Sequence, residues 1–209
     1  MIIKVCGMRN AENIKAVDNI EEVSLIGFIF HQLSSRYVSH VPSYLPQHSK
    51  RVGVFVNDDK MNICHLIRKF KLDCVQLHGN ESPEYIMQLR KTFPKDNITI
   101  IKMIPISSKE DIISTDQYTG LVDYFLFETK TESYGGSGKH FDWDVLSEYK
   151  GDTPFLISGG IGPEDANKIN SLCHPRFRGI DINSKFEVSP ALKDVDMIRT
   201  FIKKLKTTS

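Results

Sequence analysis

No stretch of this chain approaches the ~18 consecutive apolar residues that a membrane-spanning helix needs. No leader with a basic start and an apolar middle precedes the first strand-like run, Ile2-Ile3-Lys4-Val5. A membrane is therefore not an expected partner, and a cytoplasmic location is expected. Charge of one sign is also missing. Lys plus Arg total 27 against 26 for Asp plus Glu, so no net field draws the protein to nucleic acid or anionic lipid, and a small-molecule partner is expected instead. Cysteine is sparse. The four stand at 6, 64, 74 and 173, without the close pairing of a zinc site or the density of a secreted disulfide scaffold. Reduced thiols are expected. Cys64-His65 and Cys173-His174 are adjacent pairs, and neighbouring side chains on a helix or strand rarely converge on one ion, so no metal site is expected.

What the chain does have is alternation. Short apolar runs take turns with amphipathic stretches from end to end, the pattern of repeated βα units. Strands are predicted at Ile2–Cys6, Leu25–Ile29, Arg51–Val56, Cys74–Leu77, Thr99–Met103, Tyr124–Phe127, Pro154–Ile157 and Gly179–Ile182. Eight units over 209 residues leave about 26 residues each, enough for one strand, one helix and two short loops. Helices are expected at Asp58–Phe70, with Met61, Ile63, Leu66, Ile67 and Phe70 approximating one face, and at Asp196–Leu205, with Met197, Ile198, Phe201, Ile202 and Leu205. Asn57-Asp58 and Ser82-Pro83-Glu84 read as helix starts. The second unit is the weakest, because Pro42 and Pro46 limit Tyr37–Gln47 to a short or irregular helix. An open doubly wound sheet alternates in the same way. The strand count favours closure into a single (β/α)8 barrel spanning residues 1–209, and no Gly-x-Gly-x-x-Gly follows the first strand to support a dinucleotide-binding sheet.

In a barrel, the chemistry belongs at the C-terminal strand ends and the loops that follow. Cys6 closes the first strand. A lone strand cysteine is usually a small buried hydrophobe, but Gly7 lets a substrate approach, and Lys4 shares its face of the strand. A nearby ammonium lowers a thiol's pKa toward that of a useful base. Glu128 ends the apolar sixth strand, where burial would raise its pKa and suit it to general acid work. A solvated Glu opening a loop, or one paired with Lys130, is the alternative. His78 ends the fourth strand and reads as substrate-facing or, slightly more readily, as structural. Two glycine loops, Tyr134-Gly135-Gly136-Ser137-Gly138-Lys139 and Ser158-Gly159-Gly160, fall near the corner where barrels bind phosphate.

Six segments in order carry a family resemblance: Lys4-Val5-Cys6-Gly7, Ser35-Arg36-Tyr37-Val38-Ser39, Arg51-Val52-Gly53-Val54-Phe55-Val56-Asn57, Val75-Gln76-Leu77-His78-Gly79, Tyr134 to Lys139 with Phe141-Asp142-Trp143, and Ser158-Gly159-Gly160. Together they resemble the phosphoribosylanthranilate isomerases of tryptophan biosynthesis over nearly the whole chain. The resemblance implies a cofactor-independent barrel isomerase that performs an Amadori rearrangement on a small phosphorylated substrate, as a monomer or homodimer. It implies Cys6 as the base at the sugar C2′, with Glu128 at the position of the family's acid. It further implies Arg36 on the anthranilate carboxylate, Asp181 near the sugar hydroxyls, and Gly136, Gly159, Gly160, Asn183 and Ser184 at the phosphate. No metal or nucleotide is implied. Two positions depart from the pattern: Glu128 replaces the family's Asp, and Lys185 stands where Gly is usual. These departures motivate a second reading, a barrel that binds phosphosugar without turnover. A third is a related synthase or epimerase acting on another phosphosugar.

Overall fold

The computed structural model describes residues 1–93, 98–129 and 143–206. Eight parallel strands, β1 (Ile2–Val5), β2 (Val23–Ile29), β3 (Lys50–Phe55), β4 (Cys74–Leu77), β5 (Thr99–Ile106), β6 (Tyr124–Thr129), β7 (Phe155–Ser158) and β8 (Phe177–Ile182), pair in chain order. The barrel closes where β8 pairs with β1, setting Lys4 opposite Asp181. At that seam the backbones touch so closely that a Cβ on Gly179 would lie 1.9 Å from the Ile2 carbonyl oxygen, so only glycine fits. All eight expected strands form. β5 runs on to Ile106, and Pro105, which has no amide to give the ladder, is tolerated exposed near its end.

The inward positions, spaced two apart along each strand, decide what the barrel holds. Leu25, Val52, Cys74, Ile101, Leu126 and Leu156 make a small apolar plug inside the barrel. A much larger apolar cluster, including Val5, Ile26, Phe55, Leu77, Phe127 and Ile180, fills the space between strands and helices. Two residues beyond the plug the inward positions turn polar: Gln76 on β4, Glu128 on β6 and Ser158 on β7, joined by Lys4 on β1 and Asp181 on β8.

The outer layer contains α1 (Ala11–Asp18), α2 (Lys60–Phe70), α3 (Pro83–Thr92), α4 (Lys109–Ile113), α5 (Ala166–Asn170) and α6 (Val195–Lys206). Ser82 caps α3, with Pro83 in the first turn, as the sequence predicts. The cap of α2 is Asp59 rather than Asn57-Asp58: its carboxylate accepts from the Met61 amide at 2.8 Å. Met61 does not belong to the buried face of α2, which is Ile63, Cys64, Ile67 and Phe70; it lies on the other side and is 68% exposed. No helix follows β2. There the Asp18 carboxylate takes the helix's place, accepting from the Tyr44 hydroxyl at 2.7 Å and from the backbone amides of Gln47 at 2.7 Å and Ser49 at 2.8 Å. These donors outweigh the burial that alone would raise its pKa, and hold Asp18 below the usual carboxylate value. A hairpin the sequence reading did not foresee, β9 (Glu187–Ser189) with β10 (Leu192–Lys193), lies between β8 and α6.

Candidate active site

The polar ring opens into a cavity of about 310 Å3 at the C-terminal ends of the strands. Its wall gathers most of the residues singled out from sequence: Cys6, His78, Glu128, Gly159, Gly160, Asp181, Asn183 and Ser184. Gly136, the rest of Tyr134–Lys139, Lys130 and Phe141-Asp142 lie outside the described residues. Arg36 is not part of that wall. It stands beside the mouth, its guanidinium engaged with Glu187. Lys185 is exposed rather than part of the wall. Among the described residues no group of three or more His, Cys, Asp or Glu gathers as a metal-binding cluster.

At the base of the wall, Lys4 Nζ lies 2.7 Å from Asp181 Oδ2, with both side chains buried. Burial alone would lower the pKa of the ammonium, but Asp181 and, after it, Cys6 hold Lys4 above its ordinary value. Cys6 itself does not follow the expectation that Lys4 would lower it. Burial dominates and pushes the thiol up, Lys4 pulls against it, and the Asp181 carboxylate adds to the push. The physical reason is that a fully buried thiolate loses its hydration, and the ammonium of Lys4, shared with Asp181, offsets only part of that loss. Opposite Cys6 the chain needs a glycine, because a Cβ on Gly27 would lie 2.8 Å from Cys6 Sγ and 3.3 Å from Lys4 Nζ.

Glu128 also departs from expectation. Its Oε2 lies 3.2 Å from His78 Nε2, and this contact, against the opposing effect of burial, holds the carboxyl below its ordinary value rather than above it. His78 is therefore part of the site. Gln76 Nε2 lies 3.0 Å from His78 Nδ1, so Gln76 and Glu128 hold the imidazole from its two ring nitrogens. Gln76 Oε1 and Asp181 Oδ1 are buried acceptors with no partner among the described residues. Both side chains line the cavity, where a substrate hydroxyl would satisfy them.

Two of the loops expected at a phosphate corner come together. β7 and β8 are neighbours, so Ser158-Gly159-Gly160 and Asn183-Ser184 meet at one side of the mouth. Gly159 (φ 94°) and Gly160 (φ 68°) both take left-handed backbone, the conformation that makes a tight turn there possible and that favours glycine. Sequence reasoning gave no individual role to Gln76, Ser158, Gly27, Glu187 or Lys193. The first two were legible in principle, as polar residues at inward positions of otherwise apolar strands.

A closed parallel barrel with a buried thiol, a carboxylate paired to an imidazole, and a glycine corner on one cavity is an enzyme of acid-base chemistry on an anionic small molecule. The family described as N-(5'phosphoribosyl)anthranilate (PRA) isomerase matches residues 3–204, and the chain belongs to it. The N-(5'-phosphoribosyl)anthranilate isomerase of Parabacteroides distasonis is 49% identical over 211 aligned residues, which cover 98% of this chain and 93% of the relative. The crystal structure of phosphoribosyl anthranilate isomerase from Thermotoga maritima superposes with a TM-score of 0.81 at 32% identity, covering 99% of this chain and 100% of that one. Another phosphoribosyl anthranilate isomerase structure, solved in complex with reduced 1-(o-carboxyphenylamino)-1-deoxyribulose 5-phosphate, has a TM-score of 0.79 at 28% identity, again over 99% of this chain and 100% of that one.

Proposed function

We propose that Cys6 and Glu128 carry the acid-base steps of the family's reaction in this chain: the Amadori rearrangement of N-(5-phosphoribosyl)anthranilate to 1-(2-carboxyphenylamino)-1-deoxyribulose 5-phosphate in tryptophan biosynthesis. The observation that carries this reading is that the thiol, the carboxylate and the glycine corner line one cavity. The 5-phosphate sits against backbone amides at Gly159, Gly160 and Ser184. The ribose hydroxyls meet Asp181 and Gln76, and the anthranilate carboxylate meets Arg36, whose planar fork matches a planar anion.

Glu128 gives a proton to the ring oxygen, the furanose opens, and the nitrogen lone pair forms the C1′ iminium. Positive charge next to C2′ acidifies its proton, which Cys6 removes. The resulting enolamine takes a proton at C1′, loses one from its C2′ hydroxyl, and becomes the ketone. Cys6 ends as thiol and Glu128 as carboxylate, and exchange of protons restores the starting forms. His78, 3.2 Å from Glu128, steadies the carboxylate, which recovers its proton from solvent.

The test compares kcat for wild type, Cys6→Ser and Glu128→Asp on freshly generated substrate. The reading expects Cys6→Ser to lose at least about 10²-fold, the scale of a general base, and Glu128→Asp to gain nothing, because the longer side chain is accommodated by its contact with His78. Near-normal turnover in Cys6→Ser removes the thiol from the mechanism. A silent wild type with activity appearing only in Glu128→Asp favours the reading of a barrel that binds phosphosugar without turning it over.

A further inference from the structure

Arg36 meets Glu187 along one edge. Its Nε lies 2.9 and 3.0 Å from the two carboxylate oxygens, and its Nη2 lies 2.6 Å from Oε2. A guanidinium has two edges that match a planar anion, one made by Nε and an Nη and one made by the two Nη groups. Glu187 takes the first edge and leaves the second for a ligand. The stem of Arg36 lies against the chain just past Cys6, where a Cβ on Gly7 would come within 2.6 Å of Arg36 Cδ.

Glu187 is itself held. The hairpin sets it opposite Lys193, whose Nζ lies 2.5 Å from Glu187 Oε1 and 2.7 Å from Asn183 Oδ1. The Lys193 side chain is 0% exposed and that of Glu187 is 4%, so neither is a solvated surface charge. Asn13 of α1 fixes the Lys193 backbone from both sides, accepting from its amide at 2.8 Å and donating to its carbonyl at 2.9 Å. An arginine paired with a glutamate is neutral and offers an anion little net attraction. With Lys193 the triad carries one positive charge, and its accessible end is Arg36, 21% exposed.

We propose that Glu187 and Lys193 are positioning residues for the aromatic carboxylate of the substrate: Glu187 fixes one edge of Arg36 so that the other faces the carboxylate, and Lys193 restores the positive charge that Glu187 would cancel. The same ammonium also reaches Asn183 Oδ1, which helps hold it beside Glu187. This inference rests on Arg36 as the carboxylate site in the proposed function.

The test measures binding of two substrate-like inhibitors, reduced 1-(2-carboxyphenylamino)-1-deoxyribulose 5-phosphate and the anilino compound that differs only in lacking the carboxyl group. Lys193→Met should weaken the carboxylated compound about tenfold or more, the scale of one charge-assisted contact, and leave the anilino compound within about twofold. KM for substrate should rise more than kcat falls. The double variant Glu187→Gln, Lys193→Met, which removes both buried charges and guards against a folding failure of the single change, should recover part of the carboxylate affinity because Arg36 again carries an uncancelled charge. Equal weakening of both compounds, or no weakening of either, overturns the inference. Arg36→Met is the control for the underlying reading: if it fails to discriminate between the two compounds, Arg36 is not the carboxylate site, whatever Lys193 does.

Discussion

Replacing Gly27 by Ala tests whether the packing around Cys6 is as tight as the geometry says. The new Cβ would lie 2.8 Å from Cys6 Sγ, 3.2 Å from Cys6 Cα and 3.3 Å from Lys4 Nζ, where ordinary contact begins near 3.4 Å. None of these neighbours can yield freely. The Cα is strand backbone, Lys4 is tied to Asp181 at 2.7 Å, and the thiol has a single short side-chain torsion. Sγ must therefore move by roughly 0.6 Å or the strands must part, an overpacking cost of about 1–3 kcal/mol. At about 2–4 °C per kcal/mol for a chain of this size, Tm should fall by about 2–12 °C. If a 1 Å misplacement costs about 10²-fold in rate, this shift of the proposed base should cost on the order of tenfold in kcat. Gly120→Ala is the matched control, since a Cβ there meets nothing within 4 Å although its φ is +75°. It should lose some stability to backbone strain and no kcat. Thermal melts and steady-state kinetics on both variants decide the matter. A Gly27→Ala protein with unchanged Tm and kcat would refute the packing argument.

Three further outcomes are expected. Asp18→Asn should cost about 2–3 kcal/mol in urea unfolding at neutral pH, because buried donors lose a charged acceptor. Since the folded-state pKa of Asp18 is depressed, its contribution is present above the ordinary carboxylate value and fades as pH falls through the folded value, so wild type and variant should converge in acid; a constant gap would contradict this. Lys4→Met leaves Asp181 buried without its cation, and unfolding should become easier by about 3–5 kcal/mol; a stable variant would show that the pair is dispensable. The pH profile of kcat/KM follows from a thiol held high and a carboxyl held low. The productive form needs thiolate and protonated acid together. Between the two values, each unit of pH gains as much thiolate as it loses acid, so a broad plateau across neutrality is expected. The rate should fall below the depressed Glu128 value and above the raised Cys6 value. A limb near neutrality that the substrate's phosphate does not explain would mean the pair is tuned differently.

The barrel was legible because its strands are short apolar runs, and His78 and Glu128 stand out by breaking an apolar pattern at a strand end; Cys6 is read from Gly7 and Lys4 beside it, and the roles of Asp181 and Asn183 from the family resemblance. What stayed hidden depends on partners distant in the chain. Arg36 and Glu187 are 151 residues apart, and Lys4 and Asp181 are 177 apart. No local periodicity carries such pairings. The pKa direction of Glu128 has this origin, since the deciding group, His78, comes from another strand, whereas that of Cys6 is set first by burial and only then by Lys4 and Asp181. Met61 was assigned to the buried face of α2 by hydrophobicity, although the helical spacing of Ile63, Ile67 and Phe70 places it on the far side. The missing second helix was legible in Pro42 and Pro46, but the Asp18 staple that replaces it was not.

The proposed mechanism has this barrel turn over phosphoribosylanthranilate at its thiol-lined mouth. The most direct measurement follows the loss of phosphoribosylanthranilate fluorescence as freshly generated substrate is consumed by wild type and by Cys6→Ser, with no metal or nucleotide added. The account predicts rapid, complete conversion by wild type and little above background with Cys6→Ser. Equal conversion by both proteins, or none by wild type, would contradict it.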